Sequence, residues 1–143
     1  MKKFIITAFV AIGAAFIVNS QTVAPQKPVD KKAPVIEFDK ETHDFGLIPQ
    51  GVPATYTFIV TNKGKSPLII TNASASCGCT TPEWTKEPIM PGAKGFIKAT
   101  YNAATPGAFM KTVTVASNAT RDLVTLTLKG EVKTGTATPT PSN

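Results

Sequence analysis

The sequence predicts an all-β protein, a single immunoglobulin-like antiparallel β-sandwich of about seven strands. Apolar and polar residues alternate with a period of two in several segments, which is typical of strands with one buried face. Turns that contain proline, glycine or asparagine separate these segments at intervals of roughly 8–12 residues. After residue 34, no segment shows a sustained helical period. Together these observations favour a sandwich over any helical or mixed fold.

The first predicted strands lie before the two cysteines of the chain. Ordered structure is predicted to begin with the segment at 35–38, and a second segment follows at 42–46. A turn comes next, in which Pro49 presets the dihedral angle φ and Gly51 accepts a positive φ. A strand at 55–61 follows, in which threonines alternate with aromatic and aliphatic residues. The turn Asn-Lys-Gly-Lys then leads into the apolar segment that precedes the cysteines.

Three further strands follow the cysteines. Alternation is clear at 95–101, at 112–115 and at 124–129, and each of these segments is bounded by turn residues such as Pro-Gly or Ser-Asn. The side chains predicted to face the core are Tyr56, Phe58, Val60, Ile97, Val113, Val115, Leu126 and Leu128.

The chain divides into four regions. Residues 1–20 begin with two lysines, continue with an almost wholly apolar run and end in small residues, which predicts a secretory signal peptide. The proline- and lysine-rich residues 21–34 are a predicted linker, 35–132 form the sandwich, and 133–143 are a Thr/Pro-rich tail predicted to be disordered. We therefore expect a periplasmic or secreted protein.

The apolar run of the leader is shorter than the ~20 residues needed to cross a bilayer, so no membrane span is expected after signal cleavage. The chain has a formal net charge of +6, but its lysines are scattered rather than gathered into a basic patch interleaved with aromatic residues. We therefore expect no nucleic-acid partner. The expected partner is a protein, bound through loops or strand edges.

The segment that contains Cys77 and Cys79 is the least typical part of the predicted sheet. Two cysteines at i and i+2 on an extended strand point to the same face, with Cα atoms ~6.6 Å apart, so a disulfide requires a bend at Gly78. We expect a positive φ there, and we expect the segment to leave the sheet at Cys77. Closing so short a loop would restrict the unfolded chain by only ~1.5 kcal/mol.

Three interpretations of this pair remain open. The thiols could pack as small apolar groups or close a passive local disulfide. They could form a redox pair in an exported protein. They could also bind Cu(I), with Met90, Met110 and His43 as further ligands. A structural zinc site needs four ligands of the cysteine and histidine type, which the chain does not offer, and no cofactor is expected.

Two other residues are candidates for function. His43 lies beside Asp44 and could form a titrating pair with it, although the favoured hypothesis is a histidine that caps local backbone. Trp84 is expected to plug the core or its rim beside the cysteine segment, and it is also a candidate anchor for a protein partner. No catalytic constellation is present, which favours a protein that is not an enzyme.

A set of short motifs also resembles a known family. The residues that carry the resemblance are Phe38-Asp39, His43-Asp44-Phe45-Gly46, Gly51, Asn62-Lys63-Gly64, Pro67-Leu68, Ser76-Cys77-Gly78-Cys79-Thr80, Pro88-Ile89, Pro91-Gly92, Gly107, Lys111-Thr112-Val113-Thr114-Val115 and Ser117-Asn118-Ala119. Over about Val35 to Val132 the chain resembles the bacterial family named domain of unknown function 1573, which is similar to hydin-like and major-sperm-protein-like domains. The resemblance implies an immunoglobulin-type sandwich and brings no activity.

The sequence thus predicts an exported, non-enzymatic binding or scaffolding domain. The alternative is a thiol-redox or Cu(I)-handling accessory protein that uses Cys77 and Cys79.

Overall fold

The computed structural model describes residues 32–134. The predicted signal peptide, most of the predicted linker and nearly all of the predicted tail lie outside the described residues. Within residues 32–134, no helix is long and apolar enough to cross a membrane.

Eight strands make up the described part of the chain. In chain order they are β1 (Ile36–Phe38), β2 (Thr42–Pro49), β3 (Ala54–Asn62), β4 (Ile70–Ala75), β5 (Thr80–Trp84), β6 (Lys94–Tyr101), β7 (Gly107–Ser117) and β8 (Leu123–Lys133).

The strands form two four-stranded sheets, in the orders β1-β3-β6-β5 and β2-β8-β7-β4. The first order is that of the four-stranded sheet of an immunoglobulin domain, and β8-β7-β4 is its three-stranded sheet with one strand added. The immunoglobulin-like sandwich is therefore confirmed. The added strand arises because the chain leaves β1 at Phe38, crosses to the other sheet and resumes as β2 at Thr42.

The pairing of β2 with β8 departs from the predicted antiparallel arrangement, since these two strands run parallel. After the crossover, β2 runs in the same direction as β1. Strand β8 also runs in this direction, so β2 and β8 can pair only in parallel. The Thr127 N–H donates to the carbonyl of Glu41 at 2.7 Å where the ladder begins. The register shifts between Asp44 and Leu47, which marks a bulge in β2.

The core lies between the two sheets and consists of the apolar side chains that alternate with polar ones along the strands. Seven of the eight predicted core side chains are buried, with Val60, Ile97, Val113, Leu126 and Leu128 all at 0% exposure. Tyr56 is only half-buried and packs against the edge of the same core. Strands β3, β6, β7 and β8 therefore place the predicted core residues inward, as the sequence pattern indicates.

Candidate functional site

The two cysteines lie where the chain crosses from one sheet to the other. Strand β4 ends at Ala75 in one sheet and β5 begins at Thr80 in the opposite sheet, so residues 76–79 form the connecting turn. The Cα atoms of Cys77 and Cys79 lie 5.3 Å apart, and the structure joins the two side chains in a disulfide. Both residues are half-buried.

Gly78, which separates the two cysteines, does not adopt the expected backbone conformation. The described glycines with positive φ are Gly46, Gly51, Gly92 and Gly107, so our expectation for Gly78 was wrong. The bend is made without a left-handed residue because the strand has already ended at Ala75. A Cβ atom built at Gly78 would meet nothing within 4 Å, so the outer side of the turn is open.

Backbone hydrogen bonds hold this turn on both sides. The Ser76 N–H donates to the Thr112 carbonyl at 2.9 Å, and the Thr112 N–H donates to the Ser76 hydroxyl at 3.2 Å. On the other side, the Asn102 N–H donates to the Cys79 carbonyl at 3.0 Å. The turn is thus tied to β7 on one side and to the residue that follows β6 on the other, by contacts that do not involve sulfur.

A small apolar cluster lies beneath the turn, apart from the main core. It consists of Tyr101, Ala103, Phe109 and Val132, and Cys79 packs against it. The Tyr101 and Phe109 rings stack with centroids 4.2 Å apart. One of the two cysteines therefore faces the interior of the domain.

Two further connections lie at the same end of the sandwich. Residues 50–53 join β2 to β3, and residues 102–106 join β6 to β7. The Gly51 N–H donates to the Ala103 carbonyl at 2.9 Å, and the Gln50 side-chain amide donates to the Ala104 carbonyl at 3.0 Å. We call these two connections together with residues 76–79 the cysteine end. It is one hydrogen-bonded surface.

None of the residues in the three connections of the cysteine end carries a charge, although most are exposed. The opposite end of the sandwich carries two lysines in 63–69, Lys-Glu within 85–93 and Arg-Asp within 118–122. The β1–β2 connection, Asp-Lys-Glu at 39–41, is also charged, and it crosses between the sheets beside Ile59 and Thr127. Among the connections of residues 32–134, the three at the cysteine end are therefore uncharged and the other four carry charge. The exposed Lys133, whose carbonyl accepts the Gln50 N–H, is a charged residue at the end of β8 beside the cysteine end. Sequence reasoning missed this difference between the connections, although charged and uncharged connections alternate along the chain.

The further Cu(I) candidates lie away from the cysteines. Met90 is in the β5–β6 connection at the opposite end, and Met110 is on β7 with 68% of its surface exposed. His43 is on β2, where its ring stacks on Tyr56 with centroids 3.6 Å apart. Among the described residues, no group of three or more His, Cys, Asp and Glu side chains could hold a metal ion.

His43 and Asp44 point to opposite faces of β2 and have separate environments. Burial, followed by the charge of Lys40, lowers the pKa of His43, while Asp44 opposes the shift. The pKa of Asp44 is lowered chiefly because its carboxylate accepts the Gly46 N–H at 2.8 Å. Within residues 32–134 the structure gives the imidazole ring contacts and no hydrogen bond, so the favoured hypothesis of a backbone cap was wrong.

Trp84 lies on β5, the edge strand that follows the cysteine turn. It is half-buried, packs against the main core, and has Lys86 Nζ 3.1 Å above its ring. Its indole N–H is buried, and so is the hydroxyl of Thr80. Among the described residues neither has a hydrogen-bond partner.

A groove of about 390 Å³ lies on the outer face of the second sheet, beside the β2 bulge. Its apolar walls include Leu47 and Met110, which are 57% and 68% exposed, and Asp44 and Lys129 form an ion pair at its edge with 3.4 Å between Nζ and Oδ2.

The family comparison covers almost the whole sandwich. A family model described as "Protein of unknown function (DUF1573)" matches residues 36–132. The chain belongs to this family. The matched range takes in the cysteine end of this DUF1573 domain as well as both sheets. No match was found among curated proteins.

Solved structures share the fold of the DUF1573 domain at low sequence identity. A protein of unknown function from Porphyromonas gingivalis W83 has a TM-score of 0.63 at 17% identity, over 71% of this chain and 48% of that one, so the chain spans about half of its length. The ASH/PapD-like domain of human CEP192 has a TM-score of 0.61 at 12% identity, over 85% and 99% of the two chains. The YadV chaperone has a TM-score of 0.51 at 15% identity, over 73% and 55%. The TM-scores show a shared fold, and at these identities they show the fold alone.

Proposed function

We propose that this DUF1573 domain is an exported, non-enzymatic binding domain whose cysteine end contacts a protein partner. The observation that carries the proposal is the lack of charge in the three connections of the cysteine end, whereas the other four connections of the sandwich carry charge. The centre of a protein–protein interface is depleted of charged residues, because each buried charge must be desolvated. Exposed connections that carry no charge can be covered by a partner at little desolvation cost.

The rigidity of the cysteine end further supports binding. Its three connections are held to one another and to the strands by backbone hydrogen bonds, so little conformational entropy is lost when a partner covers them. Val52, Thr105 and Pro106 are exposed there, and the uncharged backbone supplies carbonyl and N–H groups. The cysteine end also lacks His, Asp, Glu and Lys side chains that could serve as a general acid or base.

The structural neighbours fit the same proposal. The YadV protein is a chaperone, and the CEP192 domain is PapD-like. Loops and strand edges of immunoglobulin-like sandwiches commonly carry recognition. The signal-like leader supports export to the periplasm or beyond.

The proposal can be tested with a photo-crosslinking residue at the cysteine end. Val52 and Met90 form a matched pair, since they are 48% and 57% exposed and lie at opposite ends of the sandwich. A photo-crosslinker at position 52 should give an adduct of defined mass in the exported fraction of the source cells, and one at position 90 should not. An excess of wild-type protein or of the Met90→Lys variant should compete for the partner and reduce the yield of the position-52 adduct. The Val52→Lys variant should not compete, because its lysine must be desolvated at the interface.

Two results would overturn the proposal. One is the absence of any adduct from position 52, or adducts of equal mass and yield from both positions. The other is turnover of a substrate by the purified chain, through chemistry other than thiol–disulfide exchange at Cys77 and Cys79, that is lost when a residue of the cysteine end is changed.

A further inference from the structure

The Cys77–Cys79 disulfide does not hold the fold together. It encloses one residue, and cross-linking so short a loop removes little entropy from the unfolded chain. The turn is already tied to β7 through Ser76 and to the residue after β6 through the Cys79 carbonyl. The same backbone contacts remain available when both sulfurs are thiols.

The disulfide is also open to an approaching molecule. Both cysteines are half-buried rather than buried, and a side chain at Gly78 would have free space on the outer side of the turn. No charged residue occurs in the three connections that surround the turn, so an incoming thiolate meets no fixed negative charge in them.

The two sulfur-bearing residues have different surroundings. Cys79 packs against the cluster of Tyr101, Ala103, Phe109 and Val132, whereas Cys77 is part of no apolar cluster among the described residues. Cys79 is therefore the cysteine that is backed by apolar side chains, and Cys77 is the one without such backing.

We propose that Cys77 and Cys79 form a thiol–disulfide exchange site for a protein dithiol, with Cys77 as the exchanging sulfur and Cys79 as the resolving sulfur. A partner thiolate attacks the sulfur of Cys77, the Cys77–Cys79 bond breaks, and Cys79 leaves as a thiolate. The second thiolate of the partner then attacks the partner sulfur that is bonded to Cys77, and Cys77 leaves as a thiolate. The partner dithiol is oxidised to a disulfide, the cysteine pair is reduced, and the two protons of the partner pass to the two new thiols.

The reverse reaction uses the same atoms. In the reduced protein the Cys77 thiolate attacks a partner disulfide, and Cys79 then displaces the partner from Cys77. The hydrogen bonds of the turn keep the Cα atoms near their 5.3 Å separation, so Cys79 needs no refolding to reach the mixed disulfide. This exchange site does not depend on the proposed binding function, which requires no sulfur chemistry.

Reduced and oxidised glutathione are suitable probes, with Cys77→Ser and Cys79→Ser as a matched pair of variants. The native oxidised chain should be reduced reversibly in glutathione buffer while its circular dichroism stays that of the folded protein. After reduction and addition of oxidised glutathione, the Cys79→Ser variant should accumulate a mixed disulfide about tenfold faster than the Cys77→Ser variant. The Cys79→Ser variant keeps the exchanging thiol of Cys77 and has no second thiol to resolve the adduct, whereas the Cys77→Ser variant keeps only the thiol of Cys79.

Three outcomes would overturn the inference. The bond could resist glutathione until denaturant unfolds the domain, the two single variants could form the adduct at equal rates, or the exported protein could hold two thiols that oxidised glutathione does not modify. A Cys77→Ser/Cys79→Ser protein that still gives the adduct from position 52 would retain the binding function, so the two proposals can fail separately.

Discussion

Asn62 and Thr80 are both buried polar residues, but only one of them has its polar atoms satisfied. The Asn62 amide donates to the carbonyls of Ser66 and Ile89 at 2.8 and 2.9 Å, and its oxygen accepts the Gly64 N–H at 2.9 Å. It is 0% exposed and joins the β3–β4 turn to the β5–β6 connection. The hydroxyl of Thr80 is buried without a partner among the described residues.

This contrast predicts opposite effects of two substitutions. Thr80→Val replaces the unpaired hydroxyl with a methyl group of similar size and should raise the free energy of unfolding by about 1 kcal/mol. Asn62→Leu should lower it by about 3 kcal/mol or more, because buried backbone groups lose their partners. Equilibrium denaturation of both variants measures the two changes. A loss of stability in Thr80→Val would show that the hydroxyl is satisfied after all.

His43 predicts a pH dependence of stability. Its pKa is lowered below the ordinary value of 6.5, so the folded protein binds fewer protons than the unfolded chain in that range. The stability contributed by the neutral ring is therefore complete above pH 6.5 and is lost as the pH falls through the lowered pKa. His43→Phe keeps a ring against Tyr56 and should flatten this part of the stability curve.

Denaturation midpoints from about pH 7.5 to about pH 5 measure the effect. Asp44 does not interfere, because its lowered pKa places its own loss of stability below pH 3.8. Equal loss of stability in wild-type protein and in His43→Phe would rule out the histidine as the cause.

At the scale of strands, the pairing of β8 with both β2 and β7 depends on a glycine. A Cβ atom at Gly130 would lie 2.9 Å from the Gly46 carbonyl and 3.0 Å from the Phe109 ring. The Gly46 carbonyl belongs to the β2 bulge, where a positive φ and the Asp44 side chain fix the backbone. The space beside Gly130 is thus already filled by groups with little freedom to move.

Gly130→Ala should therefore lower the free energy of unfolding by about 2 kcal/mol through overpacking. The matched control is Gly78→Ala, where the added methyl group has open space and the change should stay within about 0.5 kcal/mol. Thermal or chemical denaturation measures both variants. Equal stability of Gly130→Ala and wild-type protein would mean that β2 shifts to admit the methyl group.

The strands were predictable to different degrees, for physical reasons. Alternation identifies β3, β6, β7 and β8 because each has one buried face. Strand β5 was missed, since its five residues include Pro82, which usually argues against a strand. The proline is tolerated because β5 is an edge strand. The pairing with the β6 side continues past both ends of β5, where the Cys79 carbonyl accepts the Asn102 N–H and the Thr85 N–H donates to the Phe96 carbonyl. The parallel pairing of β2 with β8 depends on the crossover between the sheets, which the local sequence pattern does not predict.

For the whole molecule, the sequence pointed to the right segment but not to the surface around it. The cysteines stood out because they are the only two and lie in one short motif. Met90 and His43 could not be excluded as their neighbours, because distance in sequence carries no information on which end of a sandwich a residue occupies. The uncharged cysteine end becomes visible only when the connections are sorted by the end at which they lie.

The parallel pairing of β2 and β8 also has a mechanical consequence. Strand β2 enters at the charged end, β8 leaves at the cysteine end, and the two lie side by side. A force that pulls residue 32 and residue 134 apart therefore acts along the two strands in opposite directions. Their shared hydrogen bonds are loaded in shear, so they must yield together rather than one after another. The geometry makes this ladder the part of the domain that bears tension.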